Sequence, residues 1–394
     1  MAKFQVGLST RVSGLFWVHF IGSGLFLPFF PLLLSNRSLS VSEIATALAL
    51  ATFARILAAP LLTSLSDKTG RRRLSIFIYS WAGVGFLVLF AATDSYIATL
   101  IAVAGLMIFW APIIPLADAY ALDVVRLRGG QYGRMRLWGS VAFIVGNLAG
   151  GWLISFATDL PYLGGILLSL LATAVVAITL PPASRREGGE QQADDVRPVV
   201  FRQIWFLALL GAIGLIQASH AGYYAFATIF WRTSGVPDTA IGLIWSIGVI
   251  TEIALFLYAS RLPVWFTPLR LILIGGLAGV LRWLLFAEAT SPAFIVLLQG
   301  LHGLSFGAVH LGTVSLLGRI VPSRWSATGQ SLMATSIGLL NALATWGSGP
   351  LYAQAPAYAF WAMSGLSLLG VVALLALAGR VTREVSADSA LADR

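Results

Sequence analysis

The sequence predicts an all-α membrane protein: twelve transmembrane helices in two pseudo-symmetric six-helix lobes. Three observations predict it. Of 394 residues, 58% are hydrophobic and 10% charged, against about a quarter charged in soluble domains. The apolar residues fall into stretches near the twenty or so residues that a bilayer requires. The cations gather in every second turn between those stretches, which is the orientation signal of a membrane protein. A net charge of +9 spread over short loops therefore implies a lipid bilayer as partner and no nucleic acid. The chain has no cysteine, which excludes disulfides, thiolate metal sites and cysteine nucleophiles.

In chain order the expected spans are 12–34, 41–64, 74–93, 96–122, 133–156, 160–181, 204–231, 239–260, 270–288, 292–317, 326–351 and 357–379. The first follows a short basic stretch with no small-residue cleavage site, so no leader is expected to be removed. The second opens on Ser40 to Glu43, an S-x-x-E capping box. Lys68, Arg71, Arg72 and Arg73 close it, Arg126 and Arg128 follow the fourth span, and Arg185, Arg186, Arg197 and Arg202 follow the sixth. Arg261 follows the eighth, and Arg319 and Arg324 the tenth; the odd-numbered turns carry only Arg37 and Arg232. The cation bias places both termini and the even turns in the cytoplasm. A polar stretch from Pro181 to Gln203 reads as a flexible linker. The expected organisation is an N-terminal lobe at 1-181, a cytoplasmic linker at 182-203, a C-terminal lobe at 204-380 and a cytoplasmic tail at 381-394.

The stretch from Pro115 to Gly151 holds Asp118, Arg134 and Arg136 between apolar helices. Gly129 and Gly130 break the helical pattern. With the turn placed near Leu127, Asp118 and Arg136 each lie roughly 13 Å inward, at one depth. A carboxylate and a guanidinium at matching depth can neutralise each other; the plainer alternatives are a static ion pair or an Arg136 that snorkels to the surface. The two halves echo each other. Aligning Ile44 with Ile241 sets Arg55 opposite Glu252, and Gly133 and Gly151 are spaced as Gly329 and Gly347 are. Leu332 stands at the counterpart of Arg136, so the charged group is not a symmetric scaffold feature.

The turn Ser66-Asp67-Lys68-Thr69-Gly70-Arg71-Arg72 resembles the major facilitator loop signature G-x-x-x-D-R-x-G-R-R, with Thr63 for the first glycine and Lys68 for the first arginine. The resemblance implies the major facilitator fold and a gating role for Asp67, Gly70 and Arg71. A solvated basic turn is the plainer alternative. Asp118, the run Tyr132-Gly133-Arg134-Met135-Arg136, Phe143, Glu252, Arg282 and His302 fall where the lactose permease group of proton symporters carries its site residues. Phe143 would stand at the stacking tryptophan, and Ser305 replaces the glutamate that follows the histidine. The chain also resembles the 3-phenylpropionate permease family over nearly its whole length, through Tyr132 to Phe143, Gln217 to Trp231, Ile244 to Val249 and Leu301 to Leu311. That implies proton-coupled uptake of an aromatic carboxylic acid across a bacterial inner membrane.

The remaining intramembrane polar groups refine this expectation. His19, His220, His302 and His310 all fall inside expected helices. A lone membrane histidine is often only hydrogen-bonded between helices, but four beside carboxylates resemble a titratable set. No histidine pair has metal-ligand spacing, so neither metal nor cofactor is expected. Arg55 lies mid-way along its helix, and Glu252 and Arg282 are comparably deep; each such charge costs about 3 kcal/mol or more at the bilayer centre. Glu288, Asp94, Asp159 and Asp238 sit at helix ends and are expected to be solvated. Tyr223 and Tyr224, beside His220, are candidates for a pocket wall on which an aromatic ligand stacks. The substrate set is thus Asp118, Arg136, Phe143, His220, Tyr223, Tyr224 and Arg55. The coupling set is Glu252, Arg282, His302 and His310, with His302 relaying a proton towards Glu252 or, alternatively, a permanent Glu252–Arg282 pair bracing two helices.

The expected function is symport of a small organic anion with protons, by a monomer working through alternating access. Rival readings are transport of a sugar or nucleoside, and export. A sensor or an intramembrane enzyme is a poorer fit, for lack of a nucleophile paired with a base in a readable motif.

Overall fold

The computed structural model of the protein describes residues 7–128, 131–181, 199–322 and 325–392. Helices dominate it, and their order is that of the expected spans. Helices α1 (Leu8–Asn36), α2 (Val41–Thr69) and α3 (Arg72–Ala91) are continuous. The fourth span is broken into α4 (Tyr96–Trp110) and α5 (Ile113–Arg128) just before and at Pro112, which cannot donate to the helical ladder. Then come α6 (Tyr132–Leu153) and α7 (Leu160–Thr179). In the second half α8 (Ile204–Ala218) and α9 (Ala221–Thr233) are split at Ser219 and His220. They are followed by α10 (Asp238–Tyr258) and α11 (Pro268–Phe286). The tenth span is α12 (Pro292–Gly300), a π-helical turn at Gly303–Ala308 and α13 (Val309–Ile320), and the chain ends in α14 (Ser326–Gln354) and α15 (Pro356–Ala392).

Among the described residues, ten of these spans are long and apolar enough to cross a membrane. The other two are α6, which carries Arg134 and Arg136, and α14, rich in Ser, Thr and Gly; both are long enough but more polar. The capping box forms as expected, with Ser40 Oγ accepting from the Glu43 N–H and the Glu43 carboxylate accepting from the Ser40 N–H at 2.8 Å. Gly70 caps α2 in the left-handed region, at φ 66°, where a residue with a side chain would be strained. The turn expected near Leu127 lies further on, because α5 continues to Arg128 and α6 begins at Tyr132. The linker of 182-198 lies outside the described residues. Residues 381–392, expected as a tail, continue α15.

The chain divides into two compact units: Met1–Gln191 with Trp231–Ser246, and Gln192–Phe230 with Ile247–Arg394. In the first, α1 packs on α6 and α7, and α3 on α4 and α7. In the second, α8 packs on α14 and α15, and α11 on α13 and α15. These four pairings of the first unit recur at the equivalent spans of the second. Gly24 and Gly146 bring the α1 and α6 backbones together, with no room for a Cβ at either. The core of the second unit gathers Phe206, Ile213, Ile216, Ile272, Val309 and Leu374.

Candidate functional site

In the first unit, Arg136 Nε lies 3.7 Å from Asp118 Oδ1, and the Tyr132 hydroxyl donates to the same oxygen at 2.9 Å. Both charged side chains remain about 30% exposed. The equal depth expected for them is not met. Arg136 lies about 6 Å into α6 and Asp118 about 15 Å from the end of α5, and the lengths of the Arg and Tyr side chains span the offset. The Arg136 guanidinium also stacks over Phe20, 4.2 Å from its centroid. Phe143 is half-buried, two turns further along α6 on the face that carries Arg136. Arg55 is exposed, lies about 21 Å from either end of α2, and none of the described ion pairs includes it.

The loop motif also forms an ionic group, on an arginine outside the expected gating set of Asp67, Gly70 and Arg71. Arg72, not Arg71, donates to Asp67 Oδ1 at 2.8 Å and reaches Asp123 on α5. Arg71 is exposed and enters no described ion pair. At the other end of the unit, Arg232 donates to Asn36 Oδ1 at 2.9 Å and lies 3.3 Å from Asp238, while Asn36 Nδ2 donates to Asp159 at 3.2 Å. Asp238 is therefore not solvated as expected; its side chain is 10% exposed. Gly151 lies against the Asp238 carbonyl and Gly242 against that of Asn147, so α6 and the start of α10 meet backbone to backbone.

The second unit holds the densest polar group. Arg282 is fully buried against two adjoining aromatic rings, 4.7 Å from the centroid of Tyr223 and 4.5 Å from that of Trp283. Its Nη1 meets His302 Nδ1 at 3.0 Å and donates to Ser305 Oγ at 3.2 Å; its Nη2 donates to Gln299 Oε1. Nε has no hydrogen-bond partner. Gln299 in turn donates to the Tyr223 hydroxyl at 2.9 Å, and His220 Nε2 lies 3.4 Å from Ser305 Oγ. His302 Nε2 faces Glu252 at 3.9 Å.

A guanidinium can only donate. The Arg282 contact therefore makes His302 Nδ1 an acceptor and puts the ring proton on Nε2, towards Glu252. His302 thus stands between Arg282 and Glu252, where the bracing alternative called for a direct pair. The structure brings Arg282, His302, His220, Tyr223 and Glu252 together. Tyr224 stacks on His220 at 6.1 Å. His310 is set apart, with Phe306 stacked between it and His302 at 6.2 and 5.4 Å.

Three local features build this group: the break at His220, the π-turn after His302, and small residues on α10. A π-turn inserts one residue into the helical ladder and often marks a functional site. The Gly303 N–H donates to Thr251 Oγ1 at 3.1 Å, and a Cβ on Gly303 would stand 2.7 Å from the Thr251 carbonyl. Gly303→Ala should therefore push the π-turn off α10, costing about 1–3 kcal/mol as overpacking does, and separate His302 from Glu252. Gly300→Ala, with nothing within 4 Å, should fold normally. Equal thermal midpoints for the two variants would reject the close approach. Sequence reasoning missed Gln299, Trp283, Asn36 and Asp123; Gln299 could have been found as a lone amide in an apolar helix.

Residues 9–363 match the MFS_1 like family. The chain belongs to that family, of the major facilitator superfamily. Among curated relatives, a probable 3-phenylpropionic acid transporter of Escherichia coli is 27% identical over 365 residues, 91% of this chain and 96% of the relative. The maltose permease of Geobacillus stearothermophilus is 28% identical over 394 residues, covering 96% and 98%. The crystal structure of the nucleoside transporter NupG superposes with a TM-score of 0.82 at 17% identity, covering 94% and 99%. This MFS_1 like chain is thus a multi-pass membrane transporter with the major facilitator fold, not an enzyme.

Proposed function

We propose that the protein carries a small organic anion, of the aromatic carboxylate class, together with protons across a bacterial inner membrane. One observation carries this reading: a buried guanidinium, Arg282, whose described partners are uncharged and whose Nε donor is unused. An uncompensated interior cation costs several kcal/mol, and a carboxylate offers the planar acceptor pair that a guanidinium matches. Arg55 supports it, since a mid-span cation must meet water or an anion rather than acyl chains. The aromatic walls Tyr223 and Trp283 suit an aromatic body, and the 3-phenylpropionic acid relative agrees in class.

In this reading coupling runs through the hydrogen bonds of Arg282 and His302. While Arg282 donates to His302 Nδ1, that nitrogen cannot take a proton. An anion that draws the guanidinium to itself frees the Nδ1 lone pair. A proton arriving there makes an imidazolium between the anion and Glu252. Substrate and proton then enter as one neutral set. In the first unit, Arg136 binds the anion in its turn and Asp118 holds it when the site is empty. In this reading the Arg232, Asn36, Asp159 and Asp238 group ties together the chain ends at Asn36, Asp159, Arg232 and Asp238, and both termini lie on the cytoplasmic side.

The second reading is a neutral polyol or nucleoside, favoured by the half-exposed, charge-balanced Asp118–Arg136 pair and by the maltose and nucleoside relatives. Thermal shift of the purified protein against aromatic acids, disaccharides and nucleosides separates the two. Stabilisation by aromatic acids alone is expected, and stabilisation by sugars or nucleosides alone would reject the anion reading. Arg136→Lys keeps the charge but loses the two-pronged contact, so it should weaken acid binding about tenfold, while Lys68→Arg leaves it unchanged. Unaltered binding by Arg136→Lys would remove that residue from the site.

A further inference from the structure

Each unit carries a groove that the transport reading does not use. In the first unit a cavity of about 760 Å³ lies where the start of α1 meets the start of α6, lined by Ser9, Ser13, Trp17, Arg134 and Trp138 among others. Trp17 and Trp138 meet edge to face at 5.8 Å, and Trp138 is 51% exposed. Arg134 is exposed, and no described ion pair or side-chain hydrogen bond includes it. In the second unit a cavity of about 560 Å³ lies where the chain entering α8 meets the start of α14, lined by Phe201, Arg202, Thr328, Ser331 and Leu332. Phe201 stands edge to face with Trp325 at 6.1 Å, and the Trp325 indole N–H has no partner among the described residues. Arg202 is exposed and equally unpaired among the described residues. The two grooves occupy the same place in the sequence repeat: the first and fifth spans of each half.

We infer that these two grooves are anionic phospholipid sites, each seating a headgroup phosphate on its arginine and hydroxyls. Three features fit that occupant. The grooves open at helix ends on the side of the basic turns, at headgroup depth, where indole and phenyl rings settle. Each offers one uncompensated guanidinium, which suits a phosphate better than a zwitterionic surface as a whole. Basic pockets between membrane helices on the basic side are suited to anionic headgroups.

The test uses the full-length protein in detergent, titrated with phosphatidylglycerol, phosphatidylcholine or inorganic phosphate, and read by thermal midpoint and by native mass spectrometry. Phosphatidylglycerol should raise the midpoint by several degrees and leave two retained lipids per chain. Arg134→Gln and Arg202→Gln should each remove one retained lipid, and the double variant both. Arg134→Lys, which keeps the charge, should retain most of the effect and shows that loss in Arg134→Gln is not misfolding. Retention of both lipids by the double variant overturns the proposal. So does an equal shift with phosphatidylcholine. A full shift with inorganic phosphate alone would also overturn it, making the grooves free-anion sites.

Discussion

Arg282→Lys is expected to abolish concentrative uptake and to weaken substrate binding by one to two orders of magnitude, with the protein still folded. The guanidinium serves His302, Ser305 and Gln299 from two nitrogens and keeps Nε in reserve, while it rests against both Tyr223 and Trp283. An ammonium has three donors and no plane. It can satisfy the resident acceptors or the incoming carboxylate, but not both. Hydrogen bonds to charged groups contribute about 1.5–3 kcal/mol each, and about 1.4 kcal/mol is a factor of ten, so the loss of one such bond to the substrate sets the stated range. The charge is retained, and no buried anion is orphaned. Arg270→Lys, at the exposed start of the same helix, is the control and should transport normally. Binding by calorimetry and uptake into proteoliposomes decide the matter; wild-type affinity in Arg282→Lys would remove the anion socket from the mechanism.

The fold was legible because membrane helices follow from composition and loop charge, which are local properties of the chain. The span order, the capping box at Ser40 and the left-handed cap at Gly70 are of this kind. The deep charges were legible too, since Arg55, Asp118, Glu252 and Arg282 are costly in an apolar helix wherever it packs. Their partners were less so. Whether Asp67 meets Arg71 or Arg72 depends on which side of the turn α5 brings Asp123 to, a tertiary matter. The insertion of His302 between Glu252 and Arg282 depends on a π-turn, for which a Gly-Leu-Ser-Phe-Gly-Ala stretch gives no distinct period. Asp238 was misread as solvated because its partner Arg232, six residues earlier, comes close only when the intervening turn folds back.

Glu252→Gln is expected to bind and exchange substrate yet fail to accumulate it against a gradient. The position of the His302 ring proton is the reason. Arg282 fixes that proton on Nε2, which faces the Glu252 carboxylate at 3.9 Å. When substrate draws Arg282 away and Nδ1 takes a second proton, the imidazolium needs an anion on each side. The substrate is one and Glu252 is the other. In Glu252→Gln the new amide still offers a carbonyl oxygen to the Nε2–H, so the resting contact is preserved. The amide also keeps the side-chain carbons that pass beside Gly307, where a Cβ would stand 3.4 Å from Glu252 Cγ. The amide carries no charge, so the protonated state loses its second partner. A buried imidazolium short of one anion is disfavoured by several kcal/mol. The carrier then returns without the proton. Counterflow of labelled substrate between equal concentrations should stay within about twofold of wild type, while uptake driven by an imposed pH gradient should fall at least about tenfold, the loss of one charge-assisted contact. If Glu252 only braces α10 against the π-turn, both activities should fall together with the thermal midpoint. Gradient-driven accumulation at the wild-type level would clear Glu252 of either role and direct the search for the proton carrier to Asp118, the other deep acid.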